Sequence, residues 1–211
     1  MLKKIAPITL AVLLATMGGQ AFAQSSDLSP WQVRLRGIAV VPDESADISV
    51  IGGDAHVNND YVPELDITYF LSDHLALELI LATTKHYVTA VDTVAGDVPV
   101  GSVRLLPPTL TLQYHIIPEG KVRPYVGAGI NYTFFYNENP EGTVVNEMRV
   151  KNSFGFALQA GIDFALSENW MFNVDVKKVF LDTTAYLNDE AIVAKIKIDP
   201  WIFGVGFGYR V

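Results

Sequence analysis

The chain has 211 residues and no cysteine; half of its residues are hydrophobic, 18% are charged, and the formal charge is −8. This composition is too apolar for a disordered chain, too short for several domains and too acidic for a nucleic-acid partner. The 16 glycines and the 3 Trp, 9 Tyr and 11 Phe suit a membrane, yet beyond the N-terminus the longest stretches free of Asp, Glu, Lys and Arg are 14 residues, 105–118 and 124–137, and a spanning helix needs about 20.

At the N-terminus, Lys3 and Lys4 precede an apolar run over 5–17, and Ala21-Phe22-Ala23 offers small residues where signal peptidase reads them. Residues 1–23 are therefore expected to be an export signal and 24–211 the mature chain, whose net charge becomes −10 once Lys3 and Lys4 are gone. An oxidising compartment would permit disulfides, but without cysteine the fold must rest on packing and hydrogen bonds.

Period-two alternation then recurs eight times. Trp31, Val33, Leu35, Ala39 and Val41 share a face opposite Gln32, Arg34, Arg36, Ile38 and Val40. Leu65, Ile67 and Tyr69 oppose Glu64, Asp66 and Thr68, and Leu75, Leu77, Leu79 and Leu81 oppose Ala76, Glu78, Ile80 and Ala82. Pro108, Leu110, Leu112 and Tyr114 oppose Thr109, Thr111, Gln113 and His115; Val126, Ala128, Ile130, Tyr132 and Phe134 oppose Gly127, Gly129, Asn131 and Thr133. The sixth segment sets Phe154, Phe156, Leu158, Ala160 and Ile162 against Gly155, Ala157, Gln159 and Gly161. The seventh sets Trp170, Phe172, Val174 and Val176 against Asn173, Asp175 and Lys177, and the last sets Trp201, Phe203, Val205, Phe207 and Tyr209 against Ile202, Gly204, Gly206, Gly208 and Arg210.

One face is uniformly apolar and the other small, mixed or singly charged, which is the pattern of strands with lipid outside and a lumen inside. Such strands must close, because an open edge would leave backbone groups unpaired in hydrocarbon. The predicted fold is all-β: an eight-stranded antiparallel transmembrane β-barrel. Connections at 71–74, 117–123 and 165–169 are short, whereas 42–61, 85–104, 137–152 and 182–199 are long, which orients the short ones and both termini to the periplasm. Trp31, Tyr69, Tyr114, Trp170 and Tyr209 should form the periplasmic girdle, and Tyr132, Phe134, Phe154 and Trp201 the outer one. Alternation over 87–94 and 193–198 extends those strands above the membrane.

Eight strands enclose a lumen just wide enough for side chains or one small ligand, which excludes a wide porin. The inward residues Arg34, Arg36, Asp66, Glu78, His115, Asp163, Asp175, Lys177 and Arg210 fall in the periplasmic half, where they should pair as a charged floor, for example as Arg34 with Asp66 or Asp175 with Arg210. In such a floor the charges mainly fill space rather than carry solute. The outer half is lined by Ile38, Val40, Ile80, Ala82, Val179 and Ile202, with Gly129, Gly155 and Gly204 leaving room for a small apolar ligand. A solute descending this funnel would meet the floor and leave sideways between strands. No histidine on a predicted strand has Ser or Cys two positions away, so no enzyme is expected. His56, among Asp43, Glu44, Asp47, Asp54 and Asp60, reads as an acidic solvated loop rather than a metal site.

Several strings carry a resemblance: Leu106-Pro107-Pro108-Thr109-Leu110, Arg123-Pro124-Tyr125-Val126-Gly127-Ala128-Gly129-Ile130-Asn131-Tyr132, Asp199-Pro200-Trp201 and the closing Gly208-Tyr209-Arg210. With these the chain is similar to the outer membrane protein W family and its alkane-uptake relatives. The resemblance implies an eight-stranded barrel with a hydrophobic channel for small apolar molecules, and a link to stress adaptation and to phage or bacteriocin attachment. The sequence departs from the family at Val211, where a terminal aromatic is usual, and at Lys177, where a large inward aromatic is common. Outer-membrane lipid, lipopolysaccharide and small hydrophobic solutes are the expected partners of a monomer, with no cofactor, metal or nucleic acid. The alternative is a non-transporting barrel whose outer loops bind a partner.

Overall fold

The computed structural model describes residues 29–141 and 145–211, so the expected export signal at 1–23 lies outside the described residues. The described residues form fifteen strands and no helix: β1 (Trp31–Val41), β2 (Ser45–Ile48), β3 (Asp54–Val57), β4 (Asp60–Phe70), β5 (Leu75–Ala82), β6 (Thr84–Thr93), β7 (Gly96–Leu106), β8 (Thr109–His115), β9 (Val122–Pro140), β10 (Met148–Val150), β11 (Ser153–Ala165), β12 (Trp170–Phe180), β13 (Asp182–Leu187), β14 (Ile192–Lys197) and β15 (Trp201–Arg210).

Eight of them, in the order β1-β4-β5-β8-β9-β11-β12-β15, pair antiparallel around a closed barrel, with β15 returning to β1. The alternation dictates the wall. In β1, Trp31, Val33 and Leu35 are exposed, while Gln32, Arg34, Arg36, Ile38 and Val40 are buried. Around the outside Leu35, Leu112, Phe156, Phe203 and Val205 are half or more exposed, a surface that suits only hydrocarbon. Closure gives every spanning strand a hydrogen-bonded neighbour on both sides. At the end with the short turns, the Ser29 N–H donates to the Val211 carbonyl at 2.7 Å, so the start of the described chain meets its end. Edge-to-face pairs Trp31–Tyr69 (4.8 Å between centroids) and Trp170–Tyr209 (5.1 Å) hold the girdle there, and Tyr132–Phe134 (4.8 Å) belongs to the outer one.

Above the barrel the structure goes beyond the two expected strand extensions. All four long connections contribute to a folded cap. One sheet is made by β3, β6, β7 and the outer part of β9, and a second has the order β10-β13-β14-β2. The apolar face of each is too small to be stable alone, and the two bury one another: Ile48, Ala90, Val98, Val100, Val145, Ala185, Leu187 and Ala194 form a shared core. The acidic segment carries strands of this framework rather than forming a loop, while Asp43, Asp47, Asp54 and His56 remain exposed as expected. Glu44 accepts the Val57 N–H at 2.9 Å and lies 3.0 Å from His56, Asp54 accepts the N–H groups of Ala46 and Ala55, and Asp60 accepts that of Lys85 at 2.8 Å.

Candidate functional site

The inward charges gather into a plug. Arg34 and Arg36 lie on one face of β1, and β4 presents Asp66 opposite Arg34 and Glu64 opposite Arg36. Arg34 Nη1 donates to Glu78 at 2.9 Å and to Asp66 at 3.3 Å, and its Nη2 to Asp163 at 3.0 Å. Arg36 Nη2 is 2.8 Å from both Glu64 and Asp66, and its Nη1 donates to Asn173 at 3.1 Å. Lys177 bridges Glu64 (2.9 Å) and Asp175 (2.8 Å). Neutral groups complete the set: Tyr125 donates its hydroxyl to Asp175 at 2.9 Å, Gln159 donates to Glu78 and Asp175, and Thr111 donates to Glu78. Three cations and five carboxylates, none more than 3% exposed, thus cross the barrel from wall to wall. Charges so far from water persist only because each has an opposite partner.

Among the sequence-predicted floor residues, Arg34, Arg36, Asp66, Glu78, Asp163, Asp175 and Lys177 are brought together. Arg210 is not. It sits on the rung of Gln32, six residues along β15 from Gly204, the partner of Asp175, which is about 20 Å of strand. Its Nε donates to the Ser29 carbonyl at 3.2 Å and its guanidinium lies 4.1 Å from the Phe70 ring centroid. The expected Asp175–Arg210 pair is therefore replaced by Asp175 with Lys177 and Arg36. His115 lies between the Phe70 and Tyr125 rings, at 5.0 and 5.3 Å.

Glu64 and Tyr125 belong to the plug without having been singled out. The alternation already turned Glu64 inward, and Tyr125 has the parity of the inward Gly127 and Gly129; what the sequence lacked was their height and partners. Gly161 makes room for the Tyr125 ring, because a Cβ there would fall 2.3 Å from it. The lumen glycines otherwise do not hollow the outer half as expected: a Cβ on Gly129 or Gly155 would strike the neighbouring strand's carbonyl oxygen at 2.1 or 2.2 Å, so these residues let backbones approach.

Above the plug lie two cavities. The lower one, about 50 Å³, is lined by all six predicted apolar residues, Ile38, Val40, Ile80, Ala82, Val179 and Ile202, and its base is the Glu64–Lys177 pair. The upper one, about 70 Å³, lies within the cap core; of its described lining residues only His86 and Thr183 have polar side chains. His86, Leu105 and Ile198 line both.

Beside the lower cavity the wall has a seam. The β5–β8 ladder ends at Ile80 opposite Thr109, and the β6–β7 ladder begins at Thr84 opposite Leu105. Between them, 81–83 face Leu106, Pro107 and Pro108 without a rung, because the prolines have no N–H to donate. Ala82 and Pro107 both line the cavity and both are partly exposed. The proline carbonyls are held from the opposite side: Asn131 Nδ2 donates to Pro107 at 3.2 Å, Thr109 donates to Pro107 at 3.0 Å, and the Tyr132 N–H donates to Pro108 at 3.1 Å.

Residues 29–211 match the family model described as OmpW family. The chain is 46% identical to the outer-membrane protein y4mB of Sinorhizobium fredii, covering 88% of this chain and 82% of that one. It is 34% identical to outer membrane protein W of Escherichia coli, over 96% and 98% respectively. Its fold superposes on the crystal structure of the outer membrane protein OprG of Pseudomonas aeruginosa with a TM-score of 0.80 at 28% identity, covering 90% of this chain and 99% of that one. The chain therefore belongs to the OmpW family and is an eight-stranded β-barrel of the outer membrane.

Proposed function

We propose that this barrel gives small hydrophobic solutes passive passage from the cell exterior into the outer membrane: inward through the cap cavity, down to the lower cavity, and out sideways across the seam at 81–83 and 106–108. The observation that carries this reading is the vertical arrangement. Two cavities share lining residues and stand in line, the plug closes the lumen beneath them, and a stretch of missing rungs lies beside the lower cavity. The upper cavity, with only two polar side chains in its described lining, holds water poorly and favours apolar occupants. An apolar solute gains nothing from the ionic floor, whereas the hydrocarbon outside the wall is a favourable destination.

The test uses the absence of native cysteine. Protein carrying Ala82→Cys and Pro107→Cys is placed in vesicles with a lipopolysaccharide outer leaflet, which slows hydrophobic solutes, and uptake of an aromatic hydrocarbon is followed before and after the two thiols are joined by a short bismaleimide. Joining should abolish the protein-dependent rate while each single-cysteine variant is unaffected. An unchanged rate after joining refutes the lateral route. Equal rates with and without correctly inserted wild-type protein refute passage altogether.

A further inference from the structure

His86 is an anomaly in this pathway. It is 4% exposed, it lines both cavities, and it lies one rung above the Lys85–Arg104 pair of β6 and β7, in the cap rather than in the membrane-spanning wall. Its Nδ1 is 2.8 Å from the Asn58 carbonyl. A carbonyl can only accept, so Nδ1 carries the ring proton and Nε2 of the neutral imidazole holds a lone pair. Burial holds the ring below its ordinary histidine range, which favours that neutral form. Nε2 has no protein partner among the described residues, and it is not sealed from the cavity as the plug's unpartnered atoms are.

The other polar groups along the path are spent, with one exception. Thr183 donates to the Lys151 carbonyl at 2.7 Å, Thr109 to Pro107, Thr133 to Asn131, and Glu64 is held by Lys177. The exception is Thr84, two residues before His86 on the same face of β6, which is buried, lines the lower cavity and has no side-chain hydrogen bond among the described residues. A lone acceptor with a hydroxyl beside it, set where the other polar side chains are already paired, is arranged to meet a ligand's single O–H or N–H donor.

We propose that His86 Nε2 is a hydrogen-bond acceptor for solutes in transit, so that the barrel favours small apolar molecules bearing one donor, such as phenols and short alcohols, over hydrocarbons of the same size. This rests on the conduit reading and names its substrate class. A site built around one polar partner discriminates by what is left unmade when the donor is missing.

The experiment has two arms. In the first, uptake of 4-ethylphenol and 4-ethyltoluene is compared in vesicles with a lipopolysaccharide outer leaflet. His86→Leu should lower the phenol-to-hydrocarbon ratio about two- to tenfold, the range that one neutral hydrogen bond supplies, and His86→Gln, which keeps an acceptor, should restore part of it. In the second, the ¹⁵N resonance of His86 Nε2 in the detergent-solubilised full chain should move saturably with 4-ethylphenol and stay still with 4-ethyltoluene. An unchanged ratio in His86→Leu, equal loss of both solutes, or an unmoved Nε2 overturns the assignment. If Nε2 responds to the phenol yet wild-type vesicles take up neither solute faster than protein-free ones, the site stands and the conduit fails.

Discussion

Replacing Arg36 with Met keeps most of the side-chain length and removes the cation with the most partners in the plug. Arg36 lies within 2.8 Å of Glu64 and of Asp66, 3.3 Å of Glu78 and 3.6 Å of Asp175, and it also donates to Asn173. The substitution leaves two cations facing five carboxylates that are all nearly sealed from water. Removing one member of a buried pair costs roughly 3–5 kcal/mol because the survivor stays buried and uncompensated. With four carboxylates affected, the expected loss is at the upper end, about 5 kcal/mol. Guanidinium unfolding of the barrel in lipid vesicles, followed by the fluorescence of its three tryptophans, measures it. The paired variant Arg36→Met/Asp66→Asn, which restores the ratio of cations to carboxylates toward its starting value, should recover about half of the loss. A loss below about 1 kcal/mol, the size expected of an exposed ion pair, or no recovery in the paired variant, would refute the view that the plug is a mutually compensating set.

The cap and the barrel should respond separately to core damage. Leu187→Ala, at a position 4% exposed in the cap core, should cost about 2–5 kcal/mol of cap stability and raise hydrogen exchange and protease cleavage in β13, β14 and β2, while the guanidinium transition of the barrel stays put; a matching shift of both would show that they form one cooperative unit. Acid should also loosen the cap. His86 sits below its ordinary value through burial, with Asp60 and Glu44 and its bond to Asn58 opposing the shift in part. Between its folded value and the ordinary value of about 6.5, the unfolded cap binds a proton that the folded one refuses, so stability falls as pH drops through that window. Exchange rates in β6 measured at pH 7 and pH 5 should show the effect, and His86→Gln should flatten it.

The wall was legible in the sequence because lipid imposes a strict two-residue period: each outward Leu, Phe or Val announces its strand, and the parity of Arg34, Asp66, Glu78 and Asp175 follows from it. Height was legible only roughly. Arg210 shares the parity of the plug and not its level, since the stagger between strands is set by register and alternation excludes one-residue slips but not shifts of two. Glu64 was turned inward by the same parity, but its tie to Lys177 joins positions 113 residues apart, which no local pattern encodes. The cap was the largest omission. Its strands are as short as three or four residues, below the length at which alternation stands out from chance, and they are stabilised by facing one another rather than by any local preference.

The seam shows how a membrane wall tolerates missing rungs. In hydrocarbon an unpaired N–H or C=O costs several kcal/mol, so three absent rungs would ordinarily be filled by a neighbouring strand. Pro107 and Pro108 remove the donors on one side outright. Their carbonyls are then satisfied from within the protein by Asn131, Thr109 and the backbone of Tyr132, while Leu81 and Ala82 keep their rungs to Leu65 and Glu64 on the other flank. The double proline that contributed to the family resemblance thus has a physical consequence: it leaves a stretch of wall beside the lower cavity without rungs while adding no N–H donor of its own there. On the proposed route this is where a solute, stopped by the ionic plug, meets the bilayer, and of the polar side chains lining the path only His86 and Thr84 keep a group without a partner among the described residues.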